Sequence, residues 1–168
     1  MTVKVLVAYA TKMGSTASIA AAIGSELRDA GCEVDVHELG AVQAVSPYDA
    51  VVLGSAIYRR RWLPEAVRFL RRHERQLSAR PLWLFHSGPL GAARNQDQTV
   101  PSDVARLVRL IGAAAPVKTL AGELQADAVT HHRDLERLVG DSRNWQEIRA
   151  WSREIAAALL TSSPMLDR

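Results

Sequence analysis

The chain has 168 residues, of which 48% are hydrophobic and 23% charged, and its formal net charge is +3. At about 150 residues per domain this length predicts one globular domain over residues 1–162, followed by a flexible tail at 163–168. The lone cysteine, Cys32, excludes an internal disulfide framework, the scattered cations argue against a nucleic-acid partner, and no apolar run is long enough for an integral membrane segment. We expect a cytoplasmic protein that can also dock peripherally at a membrane.

Short apolar runs alternate with helical patterns along the chain. Runs rich in Val, Ile and Leu predict five strands, over residues 3–9, 33–39, 49–57, 82–85 and 116–120. Apolar residues spaced three or four apart predict helices over residues 16–30, 64–80 and 102–111, and a last helix that carries Trp145 and Leu159 on one face. We expect Asp141 or Ser142 to cap this last helix.

The strands differ in which faces are apolar. The first and third are apolar on both faces, whereas the second alternates Val34 and Val36 with polar residues. Strands that are apolar on both faces need cover on both sides, as in a parallel sheet, and alternation is typical of an edge. We therefore predict a doubly wound, three-layer α/β sandwich. Ligands bind beyond the C-terminal ends of strands in this class, so functional residues are expected after strands one, three and four.

The segment after the first strand contains residues suited to bind phosphate. It reads Thr11, Lys12, Met13, Gly14, Ser15 and Thr16. Its hydroxyls, its glycine and the positive end of the following helix dipole would form a cradle for an anion. The spacing differs from that of the P-loop and of the three-glycine dinucleotide motif, so it favours a mononucleotide. The alternative is that Ser15 and Thr16 simply cap the helix.

This loop resembles the Thr-x-x-Gly-x-Thr motif with which the flavodoxin-like family binds the phosphate of FMN. The ends of the third strand (residues 54–58) and of the fourth strand (residues 87–91) match the two loops that embrace the flavin in that family. The resemblance implies FMN as cofactor and a five-stranded parallel sheet in the order 2-1-3-4-5. It also implies flavin contacts from Ser55, Ala56, Ile57, Tyr58, Trp62, Ser87, Gly88, Pro89, Leu90 and Gly91.

Within that superfamily the chain is most similar to the menaquinone-dependent protoporphyrinogen oxidase group, in residues 52–57, 71–73, 120–124 and 144–148. The similarity implies an FMN-dependent oxidoreductase of haem biosynthesis. Its substrate would be protoporphyrinogen IX or another small anionic or aromatic compound, with a quinone as a further partner. Two departures are visible. Segment 125–143 is short and polar where members of the group carry a longer insertion, and an arginine, residue 60, replaces a frequent glycine.

The run Arg59, Arg60 and Arg61 lies beside the expected flavin site. Arginine pairs bidentately with carboxylates such as the propionates of a porphyrinogen, so these residues are candidates for substrate binding. The alternative is a solvated turn in an arginine-rich protein. Flavodoxin electron carriers typically surround the flavin with carboxylates that steer basic partners. The basic run therefore favours an enzyme over the alternative function, a one-electron carrier without a substrate of its own.

Aromatic and histidine side chains supply the remaining candidates. Tyr58 and Trp62 are candidates for stacking on the flavin, and the alternative for Trp62 is packing under the helix that follows it. His86 ends the fourth strand and is a weak candidate for proton transfer, with a structural hydrogen-bonded role as the alternative. His131 and His132 lack further ligands at metal-binding spacing, so no metal site is expected. The oligomeric state stays open.

Overall fold

The computed structural model describes residues 2–88, 99–130, 136 and 139–162. The sheet, its helices and the loop after the first strand all fall within these ranges. Several residues singled out above lie outside the described residues, namely Pro89, Leu90, Gly91, His131, His132 and the tail at 163–168.

Five parallel strands form the centre of the fold. They are β1 (Lys4–Ala10), β2 (Glu33–Glu38), β3 (Ala50–Tyr58), β5 (Leu82–Gly88) and β6 (Lys118–Ala121). Their order is β2-β1-β3-β5-β6, which confirms the predicted 2-1-3-4-5 order of parallel strands, with β2 at an edge and β3 at the centre. Three short strands go beyond the prediction: β4 (Arg61–Trp62) pairs antiparallel with the end of β3, and β7 (Glu123–Leu124) pairs with β8 (Gly140–Asp141).

Helices cover both faces of the sheet. They are α1 (Ser15–Asp29), α2 (Pro64–Arg72), α3 (Glu74–Ser78), α4 (Ser102–Ile111) and α5 (Trp145–Thr161). Val5 and Val7 of β1 belong to the core under α1 and α5. Leu6 and Ala8 belong to the core under α2, α3 and α4. Because β1 buries both of its faces, the predicted three-layer α/β sandwich is confirmed.

Two helix predictions need correction. The second predicted helix is divided into α2 and α3 at His73, whose φ of −107° and ψ of 17° depart from helical geometry. The last helix is not capped by Asp141 or Ser142. Its cap is Asn144, whose side-chain oxygen accepts a hydrogen bond at 3.1 Å from the backbone N–H three residues further on. Asp141 instead accepts hydrogen bonds from an arginine side chain two residues away.

Candidate functional site

A cleft opens at the C-terminal ends of β1, β3 and β5. The strand order changes direction here, because β2 and β3 lie on opposite sides of β1, and such a switch point leaves a crevice in which ligands bind. Arg59 lines the cleft, as do Glu123 and Leu124 of β7, which belong to the similar segment 120–124 but were not predicted as site residues. The predicted cofactor residues that line it are Thr11, Lys12, Met13, Ser15, Thr16, Ala56, Ile57, Tyr58, Ser87 and Gly88.

The loop between β1 and α1 is shaped by Gly14. The φ of this residue is 90°, in the left-handed region that favours glycine, and its N–H donates to the Thr11 hydroxyl oxygen at 2.9 Å. The first turn of α1 then reads Ser-Thr-Ala-Ser, four neutral side chains. Since the first N–H groups of a helix have no partner within the helix and lie at its positive end, this turn is suited to hold an anion.

Ser15 and Thr16 are the two residues that could have capped the helix. Along the described stretch that includes α1, no side chain caps this helix, because Gly14 occupies the cap position. The Thr16 and Ser87 hydroxyls are instead hydrogen-bonded at 2.9 Å in a buried position, which joins the first loop to the end of β5. Ser15 packs beside Gly122, where a Cβ would lie 3.1 Å from the Ser15 hydroxyl oxygen. These contacts favour an anion cradle over a simple helix cap.

Tyr58 forms an aromatic wall of the cleft. The residue is half-buried at the end of β3, and the Lys12 ammonium nitrogen lies 3.4 Å from the centroid of its ring. The Arg59 guanidinium carbon lies 5.4 Å from the same centroid. An aromatic face beside two cations is suited to a planar ligand that also carries negative charge.

The arginine run adopts an unusual hairpin turn. Tyr58 pairs with Arg61 across β3 and β4, so Arg59 and Arg60 are the two central residues of the turn. Their φ angles are 50° and 62°. Positive φ at both central residues is the type I′ pattern, which strongly prefers Asn-Gly. All three arginines are exposed; Arg59 lines the cleft, and the other two follow it in the turn and in β4. The three are called the rim arginines below.

Trp62, Ser55 and His86 lie in the interior behind the cleft. Trp62 is 3% exposed and packs in the core, and its indole N–H donates to His86 Nδ1 at 3.1 Å. His86 Nε2 lies 2.8 Å from the Thr119 hydroxyl oxygen, and the Ser55 hydroxyl accepts the Leu63 N–H at 3.0 Å. Because an indole only donates, Nδ1 accepts and Nε2 carries the hydrogen of the neutral ring. The contacts favour core packing for Trp62 and a structural role for His86.

A sequence profile described as a flavodoxin domain matches residues 6–133, from β1 to beyond β7. The chain belongs to the flavodoxin domain family. This membership confirms the resemblance carried by the three loops. No curated protein sequence matches the chain.

Several solved structures share the fold of this flavodoxin domain. A flavodoxin from the domain Archaea is 18% identical, with a TM-score of 0.63 over 94% of this chain and 99% of its own. Flavodoxin 2 of Bacillus cereus is 22% identical, with a TM-score of 0.61 over 94% and 99%. The rubredoxin oxygen:oxidoreductase of Desulfovibrio gigas is 19% identical, with a TM-score of 0.66 over 94% of this chain and 36% of its own. The chain thus spans about a third of that oxidoreductase's length.

Arg143 joins the ribbon of β7 and β8 to the first turn of α1. Its Nε and Nη2 each donate to a carboxylate oxygen of Asp141 at 2.8 Å, and Nη2 lies 3.0 Å from a carboxylate oxygen of Glu123. Its Nη1 donates to the Ser18 hydroxyl oxygen at 2.6 Å. The side-chain hydrogen bonds between Arg143 and Asp141 lower the pKa of the aspartate and raise the pKa of the arginine. Because the partners are up to 125 positions apart, no local sequence pattern indicates this group.

No helix within the described ranges is long and apolar enough to cross a membrane.

Proposed function

We propose that this flavodoxin domain binds FMN in the cleft and acts as a flavin-dependent oxidoreductase. The observation that carries the proposal is the combination, in one cleft, of the anion-binding first turn of α1 with the aromatic wall at Tyr58. FMN joins a phosphate to a planar ring system through a flexible chain, so its binding requires both features. The residues present fit this cofactor.

The chain's own residues have separable tasks in this site. The hydroxyls of Thr11 and Ser15 and the N–H groups of the first turn of α1 would hold the phosphate. Tyr58, Ile57 and Leu124 would border the ring and exclude water from it. FMN supplies the transfer of electrons and hydrogen, while the protein supplies binding, orientation and electrostatics.

For the substrate, we propose protoporphyrinogen IX, with a quinone as electron acceptor. Support comes from the resemblance of residues 52–57 and 120–124 to the protoporphyrinogen oxidase group. It also comes from the three exposed rim arginines, of which Arg59 lines the cleft. A porphyrinogen presents propionate carboxylates, and arginine is the side chain best suited to bind carboxylates through two parallel hydrogen bonds.

A one-electron carrier is the second candidate function. In its favour, two single-domain flavodoxins align with this chain over 99% of their own length. The charge of the rim argues against it, because Lys12 and the three arginines replace the carboxylates that steer basic redox partners toward a flavin.

Titration of the purified protein with FMN tests the cofactor. Quenching of flavin fluorescence and a shift of the visible absorption spectrum report binding. We expect Ser15→Ala to raise the Kd at least ~tenfold, because a hydrogen bond to a charged group contributes about 1.5–3 kcal/mol. Thr161→Ala, at an exposed hydroxyl near the end of α5, is the matched control and should leave the Kd unchanged. Wild-type protein that leaves flavin fluorescence unquenched would refute the proposal.

An anaerobic assay of protoporphyrinogen oxidation with a menaquinone analogue tests the substrate. We expect a rate above the uncatalysed background. We also expect R60A/R61A to lower kcat/KM for the porphyrinogen while the Kd for FMN stays unchanged, since neither arginine is among the residues that line the cleft. A rate equal to background from FMN-loaded protein would instead favour the electron carrier.

A further inference from the structure

We infer that Arg143 is a positioning residue of the cofactor cleft, which pairs with the Glu123 carboxylate and holds it away from an anionic ligand. The inference rests on the proposed FMN site, because it assigns to Arg143 a role in the affinity of that site. Arg143 does not line the cleft and acts only through its neighbours.

Glu123 brings a carboxylate to the site that would receive an anion. The residue lines the cleft together with Thr11, Ser15 and Thr16, the residues of the phosphate loop. Its side chain is 29% exposed, and one carboxylate oxygen lies 3.0 Å from Nη2 of Arg143. Without that contact the carboxylate would be free to turn toward the phosphate loop, where negative charge opposes the binding of an anion.

The guanidinium of Arg143 is fixed from several sides. Its side chain is 14% exposed, and all three nitrogens make hydrogen bonds: Nε and Nη2 to Asp141 at 2.8 Å, and Nη1 to Ser18 at 2.6 Å. The ring of Trp145 at the start of α5 lies 4.9 Å from its Cζ. A guanidinium held this tightly can fix the position of Glu123, which it contacts through a single nitrogen.

The same contacts set the distance between the β7–β8 ribbon and the phosphate loop. The Ser18 hydroxyl, which accepts from Arg143, donates to the backbone oxygen of Ser15 at 2.8 Å. On the other side Gly122, the neighbour of Glu123, packs against the Ser15 hydroxyl. Arg143 therefore lies two hydrogen bonds from the backbone of the phosphate loop. Together with the Gly122 N–H, which donates to the Gly88 backbone oxygen at 3.0 Å, it fixes how closely the ribbon approaches that loop.

Removal of the guanidinium changes the local charge as well as the contacts. Glu123, Asp141 and Arg143 together carry a formal charge of −1. In Arg143→Met, which keeps the aliphatic stem, this becomes −2 beside the cleft. The attraction of the cleft for an anion should fall, and the loss should depend on the Glu123 charge and on ionic strength.

The test measures the Kd of FMN by fluorescence quenching for the wild type, Arg143→Met and R143M/E123Q, at low and high salt. We expect Arg143→Met to weaken binding about tenfold, and Glu123→Gln in that background to restore the Kd to within about threefold of the wild-type value. We also expect the loss in Arg143→Met to shrink at high salt. Arg153→Met is the matched control, since Arg153 pairs with Glu26 between α1 and α5.

Two results would overturn the inference: a Kd for Arg143→Met within twofold of the wild type, or no recovery on adding Glu123→Gln. A merely structural role would lower the melting temperature but would give neither the recovery nor the change in salt dependence. If Arg143→Met lacks a folded circular dichroism spectrum, Arg143→Gln, which keeps a donor toward Ser18, replaces it with the same expectations. Wild-type protein without affinity for FMN would refute the proposed function itself, whereas unchanged binding by the variant refutes only the role of Arg143.

Discussion

The turn at Arg59 and Arg60 holds backbone strain that other residues would release. The two φ angles are 50° and 62°, and a left-handed backbone costs an L-residue with a side chain about 1–2 kcal/mol. Asparagine tolerates this region and glycine occupies it freely, although glycine loses about 0.5–1 kcal/mol through its greater freedom in the unfolded chain. We therefore expect R59N/R60G to raise the free energy of unfolding by about 1 kcal/mol.

Urea unfolding and thermal unfolding followed by circular dichroism measure this gain. For a domain of this size, 1 kcal/mol corresponds to a rise in Tm of about 2–4 °C. The matched control is Arg61→Gly, which changes the same residue type one position later, in β4. Arg61 does not have a positive φ, so glycine there should lower the free energy of unfolding by about 0.5–1 kcal/mol.

Stability of R59N/R60G equal to or below that of the wild type would refute the strain argument, as would an equal gain from Arg61→Gly. The same double variant removes two of the three rim arginines. If these residues bind the carboxylates of a substrate, kcat/KM should fall while the melting temperature rises. Such opposite changes are typical of a strained functional segment.

Three further predictions concern the interior and the pH dependence. Gly54→Ala places a Cβ within the volume of the Phe85 ring, and such overpacking should lower the free energy of unfolding in urea by about 1–3 kcal/mol. Trp62→Phe removes a hydrogen-bond donor to His86 and should lower the free energy of unfolding in the same assay by about 0.5–1.5 kcal/mol. Burial and a hydrogen bond to an aspartate raise the pKa of Tyr48 to about 12. The raised pKa contributes to the free energy of unfolding, fully so at a pH below about 10, the pKa of tyrosine in the unfolded chain, and this contribution is lost as the pH rises to about 12. One tyrosine should therefore ionise late in an absorbance titration.

Each of these predictions has a control. Gly40→Ala places its Cβ where the described atoms leave at least 4 Å of space, and a loss as large as that of Gly54→Ala would show that packing against Phe85 is not the cause. A Trp62→Phe variant as stable as the wild type would show that the hydrogen bond from Trp62 to His86 does not stabilise the fold. Tyr48→Phe should abolish the late step of the absorbance titration, and persistence of that step would assign it to another tyrosine.

The parallel sheet could be predicted because the apolar residues within single strands indicate which faces are buried. Val5, Leu6, Val7 and Ala8 are all apolar, so β1 had to be covered on both faces, and β3 and β5 repeat that pattern. The first loop could be predicted for a similar reason. Gly14 between hydroxyl residues indicates both a left-handed backbone and a close approach to a ligand.

The missed features depend on contacts through space or contradict local preferences. Arg59 and Arg60 are poor type I′ residues, so their sequence does not indicate a two-residue turn or the strand β4. The sequence around Trp62 would look the same whether its ring stacked on a ligand or its N–H donated to His86. Only the folded structure distinguishes the two roles. The partners of Arg143 lie on α1, β7 and β8, and only Asp141 is near it in sequence, so a local pattern does not indicate Ser18 or Glu123 as partners.

The buried hydrogen bond between the Thr16 and Ser87 hydroxyls joins residues 71 positions apart. The cleft is therefore complete only after β5 has paired with β3. A ligand that needs the whole cleft can bind only after this pairing, so it should not increase the rate of folding. Its effect should be to slow unfolding, so the bound protein would persist longer against heat and proteases while it refolds at the same rate.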